Sequence, residues 1–354
     1  MKNIVITALA LCLSAPAFAQ EQAVKDAPAP SEIVEAAKPA EWTAIAPQDL
    51  LVMTLAADAE GTARQVIIQL LPAPFSQRWV SNIRTLASDH WWDNTSINRV
   101  QDNYVVQWGD PTEEKPLPEG ILATSKDGYE TGADSEGFKA IRARLLDTAR
   151  ERAAIETANT ASRAKAASAK RANPGKNTIV ITRPIPPLVT VRKDPYAGAA
   201  TFENGWPIAL DKDAAWPVHC YGMVGVGRGY APDAGSGAEL YVVIGHAPRH
   251  LDRNIALVGR VIEGIEHMSS LPRGKGGLGF YEDPSKRVPI VSIRLASELA
   301  PVDRPAFEYL STQSVSFADY ADARSNRRDP FFIVPAGGAD ICNIPVPVRR
   351  MSAD

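Results

Sequence analysis

Apolar and polar positions along this 354-residue chain change period several times. Residues 51–56 and 65–71 are two apolar runs flanking a turn that contains Gly61, a pattern that predicts a β-hairpin. Pro74 follows, and can occupy the first turn of a helix that carries Trp79, Ile83 and Leu86 on one face. The stretch "NRVQDNYVVQWGDP", residues 98–111, alternates instead. Alternation places Tyr104 and Val106 on one face of a strand and Val105 and Gln107 on the other. Such a strand has a core side and a side left for solvent or function.

Beyond Pro111 the pattern shifts. Residues 135–172 are rich in alanine and arginine and strongly helix-prone, with apolar positions at Phe138, Ile141, Leu145 and Leu146 and almost none later. That composition predicts a solvated charged helix or a partly disordered insertion, with a basic arm for acidic clients or a membrane surface as the functional alternative. Residues 177–195 read as two short extended segments broken by Pro184, Pro186 and Pro187. In the dense region 216–295, "CYGMVGVGR", "AELYVVIGH", "IALVGRVIEGIEHMSSL" and "VPIVSIRLA" read as strands, the third running into a helix. A Pro- and Arg-rich tail follows, with one apolar run at "FFIVPAG". Short strands dominate, which predicts a closed β-barrel plugged by helices.

Composition adds boundaries. An apolar content of 45% is ample for a core, and a formal net charge of -3 gives no general attraction to nucleic acid or anionic lipid. Function must come from a site. Residues 1–19 have the order of a secretory signal: Lys2, an apolar segment over 4–13, then Ala17-Phe18-Ala19 as a cleavage site. That segment is too short to span a bilayer. Leu11 ahead of Cys12 speaks against a lipid anchor, so a periplasmic or secreted protein without stable membrane insertion is expected. Residues 20–46, rich in Ala, Pro, Glu and Lys, predict a flexible linker. Export permits a disulfide between Cys220 and Cys342, but Cys220 lies in an apolar run, where a free buried cysteine is the commoner outcome.

The segment "VIIQLLPAPFSQRWVSNIRTLASDHWWDNTSINRVQDNYVVQWGDP" resembles the N-terminal half of the cyclophilin-type peptidyl-prolyl isomerases. The second half matches through "GMVGVGR", "GSGAELYVVIGHAPRHLD" and "LVGRVIEGIEHMSSL". The resemblance implies a mainly β fold, a closed antiparallel barrel capped by helices, spanning 47–299 and interrupted by a helical and extended insertion over 112–200. Residues 300–354 would be a C-terminal extension. On this reading the insertion is separable, its apolar positions Phe138, Ile141, Leu145 and Leu146 being the risk.

Residue by residue, the resemblance puts Arg99 on the catalytic arginine and Gln107 on a retained glutamine. Asn98 replaces the histidine that usually precedes the arginine. Tyr104 stands for a pocket phenylalanine, Val105 for a common methionine, and Tyr241 for a second phenylalanine. Glu239 replaces a glutamine, His250 takes a variable place often held by tryptophan, Leu251 matches the pocket leucine, and Ile255 replaces a histidine. Gly227 and Arg228 fall on the segment that pairs with the backbone of a bound peptide.

The chemistry explains the arginine. An X–Pro bond interconverts slowly across a barrier of roughly 18–20 kcal/mol, because its partial double bond resists rotation. Twisting it pyramidalises the prolyl nitrogen, which accepts a hydrogen bond only near the transition state. A permanently charged guanidinium aimed there stabilises the twisted form above either planar one. No metal or cofactor is needed, and none is expected. His246 and His250 flank Pro248 in a loop, a poor metal site, and "GRGYAPDAGSG" lacks the lysine of a phosphate loop. The expected partners are proline-containing polypeptides bound by a monomer. An ion pair between Glu239 and Arg99 would divert the arginine, and would favour the alternative of a catalytically weak peptide-binding or chaperone module.

Overall fold

The computed structural model describes residues 27–175, 179–180, 182–183, 185, 188–191 and 194–351. The signal expected over 1–19, the start of the linker, and Pro184, Pro186 and Pro187 lie outside the described residues.

Eight strands close into an antiparallel barrel: β1 (Leu50–Leu55), β2 (Arg64–Leu70), β3 (Ser96–Val100), β4 (Val105–Gly109), β5 (Met223–Val226), β6 (Leu240–Val243), β7 (Leu257–Glu263) and β8 (Val288–Leu295). Their order around the barrel is β5-β6-β4-β3-β8-β1-β2-β7, with β7 returning to β5. The expected mainly β, helix-capped barrel is therefore present. The first hairpin pairs Leu50 with Gln69 through Leu55 with Arg64, close to its expected bounds, and Gly61 takes the positive φ of 81° that its turn requires. A helix over Gln77–Ser88 packs Trp79, Ile83 and Leu86 into the main core. Pro74 does not enter its first turn, because Ser76 is the N-cap.

Strand β1 is buried on both faces, since Leu51, Met53 and Leu55 join the main core while Leu50 and Val52 join a second cluster with Ile67 and Phe307. That outer apolar face needs a cover. Trp42–Ala44, Phe307–Leu310 and Val348–Arg350 supply it as a three-stranded sheet. The expected linker is thus corrected over 27–46. Pro30–Glu35 is helical and Trp42–Ala44 is a strand, because both have an apolar surface to dock on.

The insertion is also more deeply built in than its composition suggests. Glu136–Ala172 is one helix capped by Ser135, whose Oγ accepts the Phe138 N–H at 3.1 Å. Phe138 and Ile141 are buried in the main core and Leu145 packs against it, while Leu146 is exposed. Five strands, Thr131–Gly132, Ala214–Pro217, Trp206–Leu210, Ala199–Glu203 and Thr190–Val191, form a sheet beside the barrel. Arg260 of β7 joins the two, donating to the Gln69 Oε1 at 2.9 Å and to the Gly205 carbonyl at 2.8 Å. Phe138, Ile141 and Leu145, the positions named as the risk, do pack on the main core, and removing 113–196 would also take two strands from the sheet.

Cys220 and Cys342 form a disulfide, correcting the expectation of a free thiol. The bond spans 122 residues, and it forms because the chain beyond β8 folds back and buries Ile341 and Ile344 in the main core.

Candidate active site

A single row of strand register builds the site. Arg99 on β3 pairs with Gln107 on β4, Gln107 with Tyr241 on β6, and Tyr241 with Gly225 on β5. Side chains on one face of adjacent strands are neighbours. The alternate positions Val106, Trp108, Leu240 and Val242 belong to the main core, so the row projects from the barrel's outer face. Gly225 ends the row for a steric reason: a Cβ there would lie 2.3 Å from the Tyr241 ring and hydroxyl.

Arg99 is held by neutral acceptors. Its Nε donates to the Leu278 carbonyl at 2.7 Å, one terminal nitrogen donates to Gln107 Oε1 at 3.0 Å, and the other to Gln101 Oε1. Its guanidinium carbon lies 5.8 Å from the centre of the Tyr104 ring and 5.4 Å from that of Phe280. No carboxylate pairs with it among the described residues. Partial burial lowers its pKa, and Tyr104 partly offsets the shift. The result is a cation fixed in direction whose charge no anion has cancelled.

Beside it, Val105, Tyr241 and Val243 form a buried apolar cluster, rimmed by Tyr104, Leu251 and Ile255. Tyr104 precedes β4 and so escapes its alternation, joining Val105 rather than Val106. The cluster and Arg99 open on one cavity of about 660 Å³. Gln107, Arg228 and Glu239 are among its polar lining residues.

The hydroxyl of Tyr241 points away into a buried polar chain. It lies 3.0 Å from His219 Nε2, and His219 Nδ1 lies 3.0 Å from Asp252 Oδ1. A neutral imidazole donating Nδ1–H to the carboxylate leaves Nε2 to accept the phenol proton. Arg249 donates through Nε to the other Asp252 oxygen at 2.6 Å and through its fork to Asp194 at 3.0 and 3.2 Å. Burial weakens Arg249's hold on its proton, but Asp194 and Asp252 more than reverse this and its pKa is raised.

Glu239 does not pair with Arg99. Its carboxylate faces two donors, the Gln107 amide and the Asp110 backbone N–H, and both hold its pKa down against the effect of burial. The ion pair that would have diverted Arg99 is not formed, and Arg99 bonds the Gln107 Oε1 instead.

Ten of the twelve expected site residues line the cavity: Arg99, Gln107, Tyr104, Val105, Gly227, Arg228, Glu239, Tyr241, Leu251 and Ile255. Gly227 spends its N–H on the Glu239 carbonyl at 2.8 Å. Asn98 and His250 do not line it. Asn98 neighbours Arg99 on a strand, so its side chain turns the other way and is buried, with Oδ1 unbonded. His250 stacks on the far side of Tyr104, ring centres 6.4 Å apart, and borders a separate depression with Tyr129 and Trp216. Sequence reasoning missed Gln101, which the same alternation places beside Arg99, and Leu278 and Phe280 from the glycine-rich loop before β8. Only pairing of that loop with Arg99 brings them in.

A closed antiparallel barrel with an unpaired arginine over an apolar cup on its outer face defines a cyclophilin-like protein. The family of cyclophilin type peptidyl-prolyl cis-trans isomerases (cyclophilin type peptidyl-prolyl cis-trans isomerase/CLD) matches residues 65–295, and the chain belongs to it. Among solved structures, the chain is similar to cyclophilin AquaCyp293 from Hirschia baltica, with 19% identity and a TM-score of 0.55 over 88% of this chain and 94% of that one. A cyclophilin type peptidyl-prolyl cis-trans isomerase from Cryptosporidium parvum aligns at 12% identity and a TM-score of 0.34 over 72% of this chain and 99% of that one. No curated protein matches the chain.

Proposed function

We propose that the protein is an exported peptidyl-prolyl cis–trans isomerase in which Arg99 stabilises the twisted X–Pro amide of a client polypeptide. The observation that carries this reading is an Arg99 guanidinium fixed by three neutral oxygens beside an apolar cup. The proline ring enters the cup of Val105, Tyr241, Tyr104 and Leu251, and the prolyl nitrogen comes to face Arg99. Because that nitrogen accepts a hydrogen bond only when twisted, the interaction favours the transition state over the ground state. Gln107 keeps the guanidinium in place. The Cys220–Cys342 disulfide supports export, since disulfides persist in oxidising compartments.

The test is a protease-coupled isomerisation assay on an X–Pro tetrapeptide, using the chain without residues 1–19. Arg99→Ala should lose on the order of tenfold to a thousandfold in kcat/KM, the cost of one transition-state hydrogen bond. Equal rates for the two proteins would remove Arg99 from the mechanism. A separate fractionation of the producing cells, with the mature N-terminus sequenced, tests export.

A further inference from the structure

Glu239, just before β6, occupies a slot between Gly109 at the end of β4 and Gly227 just after β5, the two strands that flank β6. A Cβ at Gly109 would lie 1.8 Å from its Oε1, and a Cβ at Gly227 would lie 2.9 Å from its own Cβ. The carboxylate is therefore pressed between backbones, with little freedom to turn. The groups it faces are both donors: the Gln107 amide, whose Nε2 would lie 3.4 Å from the same Gly227 Cβ, and the Asp110 N–H. A carboxylate answers two donors at once, whereas a glutamine side chain has one oxygen and would turn its NH₂ toward the second donor.

The consequence lies one residue further on. The Gln107 side chain has a donor end and an acceptor end. The acceptor end faces Arg99, where Oε1 takes the guanidinium N–H at 3.0 Å, and the donor end is thereby turned toward Glu239. The opposite orientation would set NH₂ against a cation.

We propose that Glu239 is a positioning residue acting through Gln107: its carboxylate orients the Gln107 amide, the amide holds the Arg99 guanidinium toward the cavity, and protonation of Glu239 loosens that hold and slows isomerisation. The rate claim rests on the isomerase reading; the orientation claim does not. Burial raises the Glu239 pKa to about 7, with the Gln107 and Asp110 hydrogen bonds opposing and the Glu113 and Asp110 charges adding. The charged side chains sharing its cavity are Arg99, Asp110, Glu113, Lys115, Arg228 and Asp233. Of these, Lys115 is bonded to the Trp91 and Asp93 carbonyls, Arg228 to the Asn254 carbonyl, and Asp233 to the Gly229 and Gly235 N–H groups. Histidine is the side chain type that ordinarily changes charge near neutrality. His250 is accordingly the control.

The experiment follows the full chain from about pH 5.5 to about pH 8.5 with two readouts, kcat/KM on an X–Pro tetrapeptide and the ¹⁵N–¹H signals of Arg99 Nε and the Gln107 amide. In the wild type, kcat/KM should rise about threefold to tenfold through a break near pH 7, and both signals should move with the same midpoint. Glu239→Gln should be flat at the low plateau in rate and in signal, and His250→Gln should keep the break. Signals that ignore pH in the wild type, or a break that survives Glu239→Gln, overturn the proposal. Signals that titrate and are lost in Glu239→Gln, in a protein that accelerates isomerisation at no pH, support the positioning role and overturn the isomerase reading instead.

Discussion

Two polar chains leave the same register row in opposite senses. One runs from Arg99 through Gln107 to Glu239 along the cavity, and the other from Tyr241 through His219 and Asp252 to Arg249 and Asp194 in the interior. Each contains an arginine. Arg99 meets only amide and backbone oxygens, whereas Arg249, 3% exposed, meets two carboxylates. The difference separates a charge left without a counter-ion from a charge neutralised by the fold. Neutral acceptors direct a cation without cancelling it. The buried carboxylates of Asp194 and Asp252 cancel it, Asp194 tying the pocket floor to the insertion, while the partly exposed Asp340 of the C-terminal extension lies 3.8 Å away.

The largest expected effect breaks the interior chain. Arg249→Met should destabilise the protein by about 3–5 kcal/mol, the usual loss when one partner of a buried pair is removed and its carboxylates stay buried. Chemical unfolding measures it. Arg99→Ala should cost only about 1 kcal/mol of stability while lowering kcat/KM on the order of tenfold to a thousandfold, and an equal stability loss in both variants would erase the contrast.

The next effect is a pH dependence of stability. Folding raises the Glu239 pKa from 4.5 to about 7. Between those values the folded chain holds a proton that the unfolded chain has released, so this group's contribution falls as pH rises through that window. The fall is about 3.4 kcal/mol at most. Comparison of wild-type and Glu239→Gln denaturation curves at pH values spanning the window isolates it, and parallel curves would refute the shift.

Gly225→Ala should cost about 1–3 kcal/mol and weaken binding of an X–Pro peptide, because the new methyl displaces the Tyr241 ring from the pocket floor. Isothermal titration reads the binding part; unchanged affinity would mean the ring has room to shift. Smallest is Tyr241→Phe. It deletes a hydroxyl directed at His219 rather than at the pocket, and should lose about 1 kcal/mol of stability with activity nearly intact. A large loss of activity would place that hydroxyl in contact with substrate.

Local pattern determined the first hairpin, the alternating strand that carries Gln107, and the long helix starting after Ser135, because each depends on periodicity and capping within a few residues. Strand alternation puts Arg99, Gln107, Val105 and Tyr241 on one side of the barrel wall, whereas Tyr104, ahead of β4, and Leu251, in a short helical turn, reach the same cavity through their loops. Asn98 failed by that rule, being one residue out of phase with Arg99. Tertiary structure alone decided the rest. Residues 27–46 and the C-terminal tail look irregular by composition, yet become ordered because β1 and β2 present Leu50, Val52 and Ile67 outward and need a cover. Cys220 and Cys342 meet only because that cover folds back. The partners of Glu239 and Tyr241 were equally beyond local reading, since hydrogen bonds between residues far apart in sequence depend on which strands become neighbours and on the space two glycines leave between them.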